Sequence, residues 1–220
     1  IYIHKKTSFS NQLRIAAEKI STKYCILISD DEFAFPASLK MGIDYLEKNH
    51  DFVAVCGEII GFTVNNKKII WNKGLYPEIT GRKLEDEDPN VRLVKHMKNY
   101  SSCFCFSLAR SKIWIETANL YANKEFPIYS QWELQLNMTL AFAGKSKSLN
   151  NIMYLRSDGE TEPIRNNSPS LTVSNKLWDF WNESDPILKN RFLESMTNLF
   201  VELSQNTISK ADISSSILTL

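Results

Sequence analysis

The sequence is poor in the residues that punctuate or staple a chain: seven glycines, seven prolines, four cysteines and three histidines among 220 residues. So little Gly and Pro excludes a collagen-like or low-complexity chain. Cys25, Cys56, Cys103 and Cys105 sit in apolar or aromatic runs, where a thiol behaves as a small hydrophobe, and no disulfide framework is expected. Cys103 and Cys105 form a CxC pair on one face of an expected strand, with Phe104 and Phe106 on the other, but no His/Cys cluster completes a zinc set. Excess charge of one sign is also lacking: 26 basic and 25 acidic side chains leave a net +1, which argues against disorder and against a nucleic-acid footprint. There is no Gly-rich, Lys-bearing phosphate loop. No signal peptide and no apolar run of membrane-spanning length are seen. A cytoplasmic protein is expected, with at most peripheral contact at the inner face of the membrane.

What is present is an acidic stop at the end of an apolar run. Tyr24 to Pro36 reads YCILISDDEFAFP. Its apolar part is too short for an ordinary helix and rich in β-branched residues, so it reads as a buried strand. Three consecutive acids, Asp30, Asp31 and Glu32, end it. Burying an unpaired charge is very costly, so the carboxylates are expected to emerge together at the strand's carboxyl end. That is the edge at which open α/β sheets bind ligands. Carboxylate oxygens are hard ligands, and Mg²⁺ or Mn²⁺ is usually held by one or two of them plus substrate phosphates. The local expectation is a divalent-cation site with room for a diphosphate. The plainer alternative is that Asp30 or Asp31 caps the following helix and the other acids are solvated.

With 43% hydrophobic residues, the chain suits one domain with a small helical addition. Ile1 to Ile3 reads as a strand and about Asn11 to Ile20 as a helix, which together with the Tyr24 strand make a βαβ unit and a parallel pairing. Pro36 suits the first turn of a helix to about Lys48, and Asp51 to Gly57 is a second buried strand. A strand from Lys67 to Trp71 follows an Asn65-Asn66 turn. Leu75 to Asn90 is a polar loop of the length that often serves as a functional lid. Val91 to Tyr100 is expected to be helical with His96 partly exposed, Ser101 to Leu108 a strand, and Arg110 to Tyr121 a helix. From Ser130 to Ala143 a helix carries Trp132, Leu134, Leu136, Met138, Leu140 and Phe142, and Gly144-Lys145 ends it. Glu133 falls in its first turn, where the helix dipole alone favours a carboxylate. Asn151 to Arg156 is a short strand that delivers Arg156 and Asp158 into a polar loop. Helical stretches from Ser174 (Trp178, Phe180, Trp181) and from Pro186 to about Leu203 then form an appendage. The division is a domain over residues 1–160, then a polar loop and helical appendage over 161–220.

Taken in this order, ISDDEFAFP, VAVCGEIIGF and YSQWELQLNMTLAFAGK resemble the family-2-like glycosyltransferases of the GT-A fold, of bacterial type, over about residues 1–160. The resemblance implies an α/β, Rossmann-like and mostly parallel sheet flanked by helices. It also implies metal-dependent transfer of a sugar from a nucleotide-sugar donor to a hydroxyl of a glycan or other acceptor, with inversion. Asp30, Asp31 and Glu32 match the family's D-x-D element, in which one acid meets the ribose and another the metal. By that likeness Asp30 and Asp31 bind the nucleotide sugar, and Asp31 or Glu32 holds Mn²⁺ or Mg²⁺. The third acid here is Glu where the family has Asp. Glu133 matches the family's catalytic acid, although the preceding residue, an acid in the family, is Trp132 here. Such a transfer needs charge neutralised on the departing diphosphate and a base within reach of the acceptor hydroxyl. Glu133 is the candidate base, and Arg156 or Lys145 the candidate cation beside the diphosphate. The family's first strand has no counterpart here, so the chain reads as N-terminally truncated. The alternative reading is a non-catalytic GT-A-like binding or interaction domain.

Overall fold

A computed structural model describes residues 9–29, 32–72, 75–122, 129–157, 186–205 and 207–218. The strand expected at Ile1 to Ile3, the acids Asp30 and Asp31, and the helix expected around Trp178 to Trp181 lie outside the described residues. Within them the chain is α/β. Its strands are β1 (Tyr24–Cys25), β2 (Glu32–Ala34), β3 (Phe52–Asn65), β4 (Lys68–Asn72), β5 (Lys83–Leu84), β6 (Leu108–Arg110) and β7 (Lys145–Ser157). Its helices are α1 (Phe9–Ala17), α2 (Pro36–Lys48), α3 (Pro89–Lys98), α4 (Ser111–Ala122), α5 (Tyr129–Ala143), α6 (Pro186–Leu203) and α7 (Lys210–Leu218).

The seven strands form one sheet in the order β1-β6-β3-β7-β2, with β4 on β3 and β5 on β7. It is mixed, which corrects the expectation of a mostly parallel sheet: among the described strands only β3 and β7 pair parallel, and the other pairings are antiparallel. The reason lies in β6. It is wedged between β1 and β3, antiparallel to both, so β1 and β3 run in one direction without pairing with each other. β1 is also shorter and less buried than its apolar run suggests, because three-residue β6 gives it only two ladder positions; Ile26 to Ser29 are half-buried and outside the ladder.

β3 and β7 are the long spine, and each shares an edge between two short strands. β6 flanks β3 at Ala54 and Val55 and β4 flanks it from Gly61 to Asn65, while β5 flanks β7 near Ser146 and β2 flanks it from Tyr154 to Arg156. Gly57 does not end a strand at residue 57 but lies inside β3, at a bulge. A Cβ there would come 2.6 Å from the Asn151 carbonyl oxygen and 3.0 Å from Met153 Cβ, so glycine allows the two long strands their close approach. β7 begins at Lys145, six residues before the expected start.

Several other local expectations change. Ser102–Phe106 is a 3₁₀ turn and not a strand, and it buries Cys103, Phe104 and Cys105 together. The polar loop 75–90 holds a 3₁₀ turn (Pro77–Ile79) and β5, and is anchored by a buried Arg82. His96 is fully buried and not partly exposed; its Nδ1 meets the Arg82 guanidinium. Burial and that positive neighbour push the His96 pKa well down, so the ring is neutral.

α5 organises the packing. Residues two apart on a helix point about 200° apart, so its alternating apolar residues form two opposite rows. Trp132, Leu136 and Leu140 join the sheet core, and Leu134, Met138 and Phe142 join a second core with α3, α6 and α7. The appendage is thereby held on α5, with Phe142 stacked on Phe200 at 4.2 Å. The carboxyl end of α5 is satisfied by Arg92, which donates from Nε to the Ala141 carbonyl (3.1 Å) and from Nη2 to the Phe142 carbonyl (2.6 Å). Gly144 is needed for space and not as a left-handed cap: a Cβ there would lie 2.4 Å from Val53 Cγ1.

Candidate functional site

β1, β3 and β7 run in one direction, so the segments leaving β1 and β7 reach the same edge of the sheet. There β2 sets Glu32 opposite Arg156 on β7. The Glu32 side chain is only 1% exposed, against 29% for Arg156, and the two make an ion pair at 3.4 Å. The amide of Ser29 donates to Glu32 Oε2 at 3.0 Å. This carboxylate therefore turns into the protein toward a cation, an arrangement that does not fit a metal ligand open to a substrate diphosphate.

The Arg156 guanidinium also lies 5.3 Å from the Tyr76 ring centre and 5.4 Å from that of Phe106, within the range of cation–π attraction. Tyr76 adopts a left-handed backbone, φ 58° and ψ 58°. For a non-glycine residue this costs on the order of 1–2 kcal/mol, and such strain clusters at functional sites. Burial pushes the Tyr76 hydroxyl up to about 12, and the charges of Arg156, Glu133 and Glu32 all act on it. Glu32, Glu133, Arg156 and Tyr76, distant in sequence, are thus electrostatic neighbours.

Glu133 is 6% exposed. α5 begins at Tyr129, which leaves no acid in its first turn and places Glu133 just beyond it, so the helix dipole is not what positions this carboxylate. Its partner is Tyr100, whose hydroxyl donates to Glu133 Oε1 at 3.1 Å. That hydroxyl accepts from Asn137 Nδ2 at 3.1 Å, and the same amide reaches the Ser102 carbonyl at 3.3 Å. Because Asn137 Nδ2 can only donate, the Tyr100 hydrogen is directed at the carboxylate. Burial pushes Glu133 up to about 7, against the Tyr100 hydrogen bond and the Arg156 charge, which both pull it down. A carboxyl poised near neutrality can exchange a proton with a bound hydroxyl.

Lys145, a candidate cation, is at the other end of β7. It pairs with Asp51 at 2.8 Å and with Glu87, about 36 Å of strand from Arg156 at ~3.3 Å per residue, so it takes no part in this site. Tyr100, Asn137, Tyr76 and Phe106 also belong to this neighbourhood, and no sequence motif marks them. Asn137, four residues after Glu133 and so on the same helix face, is the one with a usable signal. Two surface grooves, of about 460 and 490 Å³, lie against α4 and contain none of these residues. Among the described residues no group of three or more His, Cys, Asp or Glu could hold a metal ion; Asp30 and Asp31 are not among those residues. No family model matches the chain, and no curated protein matches it.

Proposed function

We propose that the chain is a glycosyltransferase domain of the GT-A type, transferring a sugar from a nucleotide-sugar donor to an acceptor hydroxyl on a glycan or similar molecule. The observation that carries this reading is Glu133, a buried carboxyl raised to about 7 beside the cation Arg156, at the carboxyl edge of the parallel β3 and β7 pair. Glu133 accepts the proton of the attacking hydroxyl while Tyr100 fixes its orientation. Arg156, held near the Tyr76 and Phe106 rings, turns its exposed part to the negative charge of the departing diphosphate. Since Glu32 is engaged by Arg156 and Ser29, Asp30 and Asp31 are the acids left for the ribose and for Mn²⁺ or Mg²⁺, whose role would be to neutralise diphosphate charge. Inversion at the sugar carbon and a cytoplasmic location belong to the same reading.

The pairing of Glu32 with Arg156 also favours a second reading, a non-catalytic binding domain in which these charges only close the sheet edge. The two are separated by titrating UDP and GDP, with and without Mn²⁺, into wild-type, Asp31→Asn and Glu133→Gln proteins and measuring sugar transfer. The transferase reading expects metal-dependent binding that Asp31→Asn abolishes, and a Glu133→Gln protein that binds but does not transfer. Nucleotide binding without turnover at any metal concentration would leave the binding domain.

A further inference from the structure

The β3 and β4 hairpin carries an apolar surface for which the site has no use. Its turn residues Asn66 and Lys67 both have positive φ, 48° and 63°, the geometry of a tight two-residue hairpin turn. Phe62 faces Trp71 and Val64 faces Ile69 across the ladder, so the four side chains share one face. Val64 is 66% exposed, Ile69 55% and Trp71 52%, and Phe33 at 63% extends the patch, with ring centres 6.2 Å apart from Phe33 to Phe62 and again from Phe62 to Trp71. Ile70, on the other face, is also exposed. A contiguous apolar patch of this kind marks an interaction surface.

The charges narrow the partner. From Ile59 to Pro77 the sequence has three lysines and no acid. Lys67 and Lys68 sit exposed at the hairpin tip. Glu58 is the acid on the same face of β3, four residues from Phe62 and about 13 Å of strand away. A second copy of the chain packed on this face would bring the same lysines and, from Ile59 to Pro77, no acid to pair with them, so charge complementarity is lacking. An anionic bilayer complements both features: tryptophan settles at the membrane interface, lysines are drawn to anionic headgroups, and exposed apolar side chains enter the headgroup boundary.

We propose that this hairpin docks the protein on an anionic membrane surface, with Phe33, Val64, Ile69 and Trp71 entering the interface and Lys67 and Lys68 meeting lipid phosphates. Gly61, next to Phe62, lies opposite Arg156 on β7, so docking holds the sheet edge that bears Arg156 close to the bilayer. The inference is independent of the transfer reaction. It is tested by co-sedimenting the full chain with vesicles of phosphatidylcholine alone and of phosphatidylcholine mixed with phosphatidylglycerol. Binding is expected to the mixed vesicles, to weaken with salt, and to fall about fivefold for each lysine removed in Lys67→Gln and Lys68→Gln. Ile69→Ser with Trp71→Ser is expected to abolish it while the protein still unfolds cooperatively, since the lost cross-strand pairs each contribute little. Absence of binding to the mixed vesicles, wild-type binding by the lysine variants, or a dimer that the Ile69/Trp71 variant dissociates while vesicles are ignored would each overturn the proposal.

Discussion

Replacing Glu133 with Gln removes a carboxyl that the fold holds at a cost, and the cost depends on pH. Glu133 titrates near its ordinary 4.5 in the unfolded chain and at about 7 in the folded one, chiefly through burial. The folded state therefore binds this proton more tightly. Its contribution to stability is fully present below pH 4.5 and is lost as the pH rises through about 7. At about 1.4 kcal/mol per pH unit, the loss is about 3 kcal/mol across that window. The Gln variant has no such slope. Urea unfolding at pH 5 and pH 8 should show wild type losing stability relative to Glu133→Gln by nearly that amount, whatever constant offset the amide introduces against Tyr100. Tyr100→Phe removes the hydrogen bond that favours the charged form, so it should move the wild-type midpoint upward. If sugar transfer is found, its rate should rise with pH through the same midpoint and shift with it in Tyr100→Phe. Parallel stability curves for wild type and Glu133→Gln between pH 5 and 8 would refute both the burial argument and the assignment of Glu133 as a base poised near neutrality.

Two further perturbations test the frame around the site. Arg156→Met leaves the Glu32 carboxylate buried without its cation and should cost about 3–5 kcal/mol; adding Glu32→Gln should recover most of it, and a double-mutant cycle in urea with no coupling would show the pair to be inert. Arg92→Met strips the donors from the Ala141 and Phe142 carbonyls and should cost about 2–3 kcal/mol. Arg92→Lys should rescue little, since one ammonium cannot serve a fork of carbonyls, and the check is whether the Lys variant's thermal midpoint stays near that of the Met variant.

The elements with strong local signals were legible in the sequence. α2 runs from Pro36 to Lys48 as its proline and apolar spacing indicate, and α6 reaches Leu203 as expected. What failed was decided by tertiary partners. The 3₁₀ turn at Ser102–Phe106 reads as a strand because aromatic and thiol side chains are dense there, yet it packs all three central residues inward. The start of β7 was hidden because Ser146 and Ser148 face inward while lysines face out; small polar residues on the buried face leave no hydrophobic alternation to read. β6 inserts between β1 and β3 by a long-range pairing that no local pattern carries.

The site divides along the same line. Glu32 stands out by chemistry, as one of three acids ending an apolar strand, where a charge must be paired or used, while Glu133 and Arg156 are singled out by the family resemblance. The structure brings all three to one sheet edge, and this separates their roles. Glu32 and Arg156 answer each other, so their burial requires no ligand. Glu133 has only a neutral hydroxyl as its hydrogen-bond partner among the described residues, with Arg156 felt through its field. Glu133, and not the ion pair, is therefore the ionisable group of this edge whose charge is not answered by a directly bonded opposite charge.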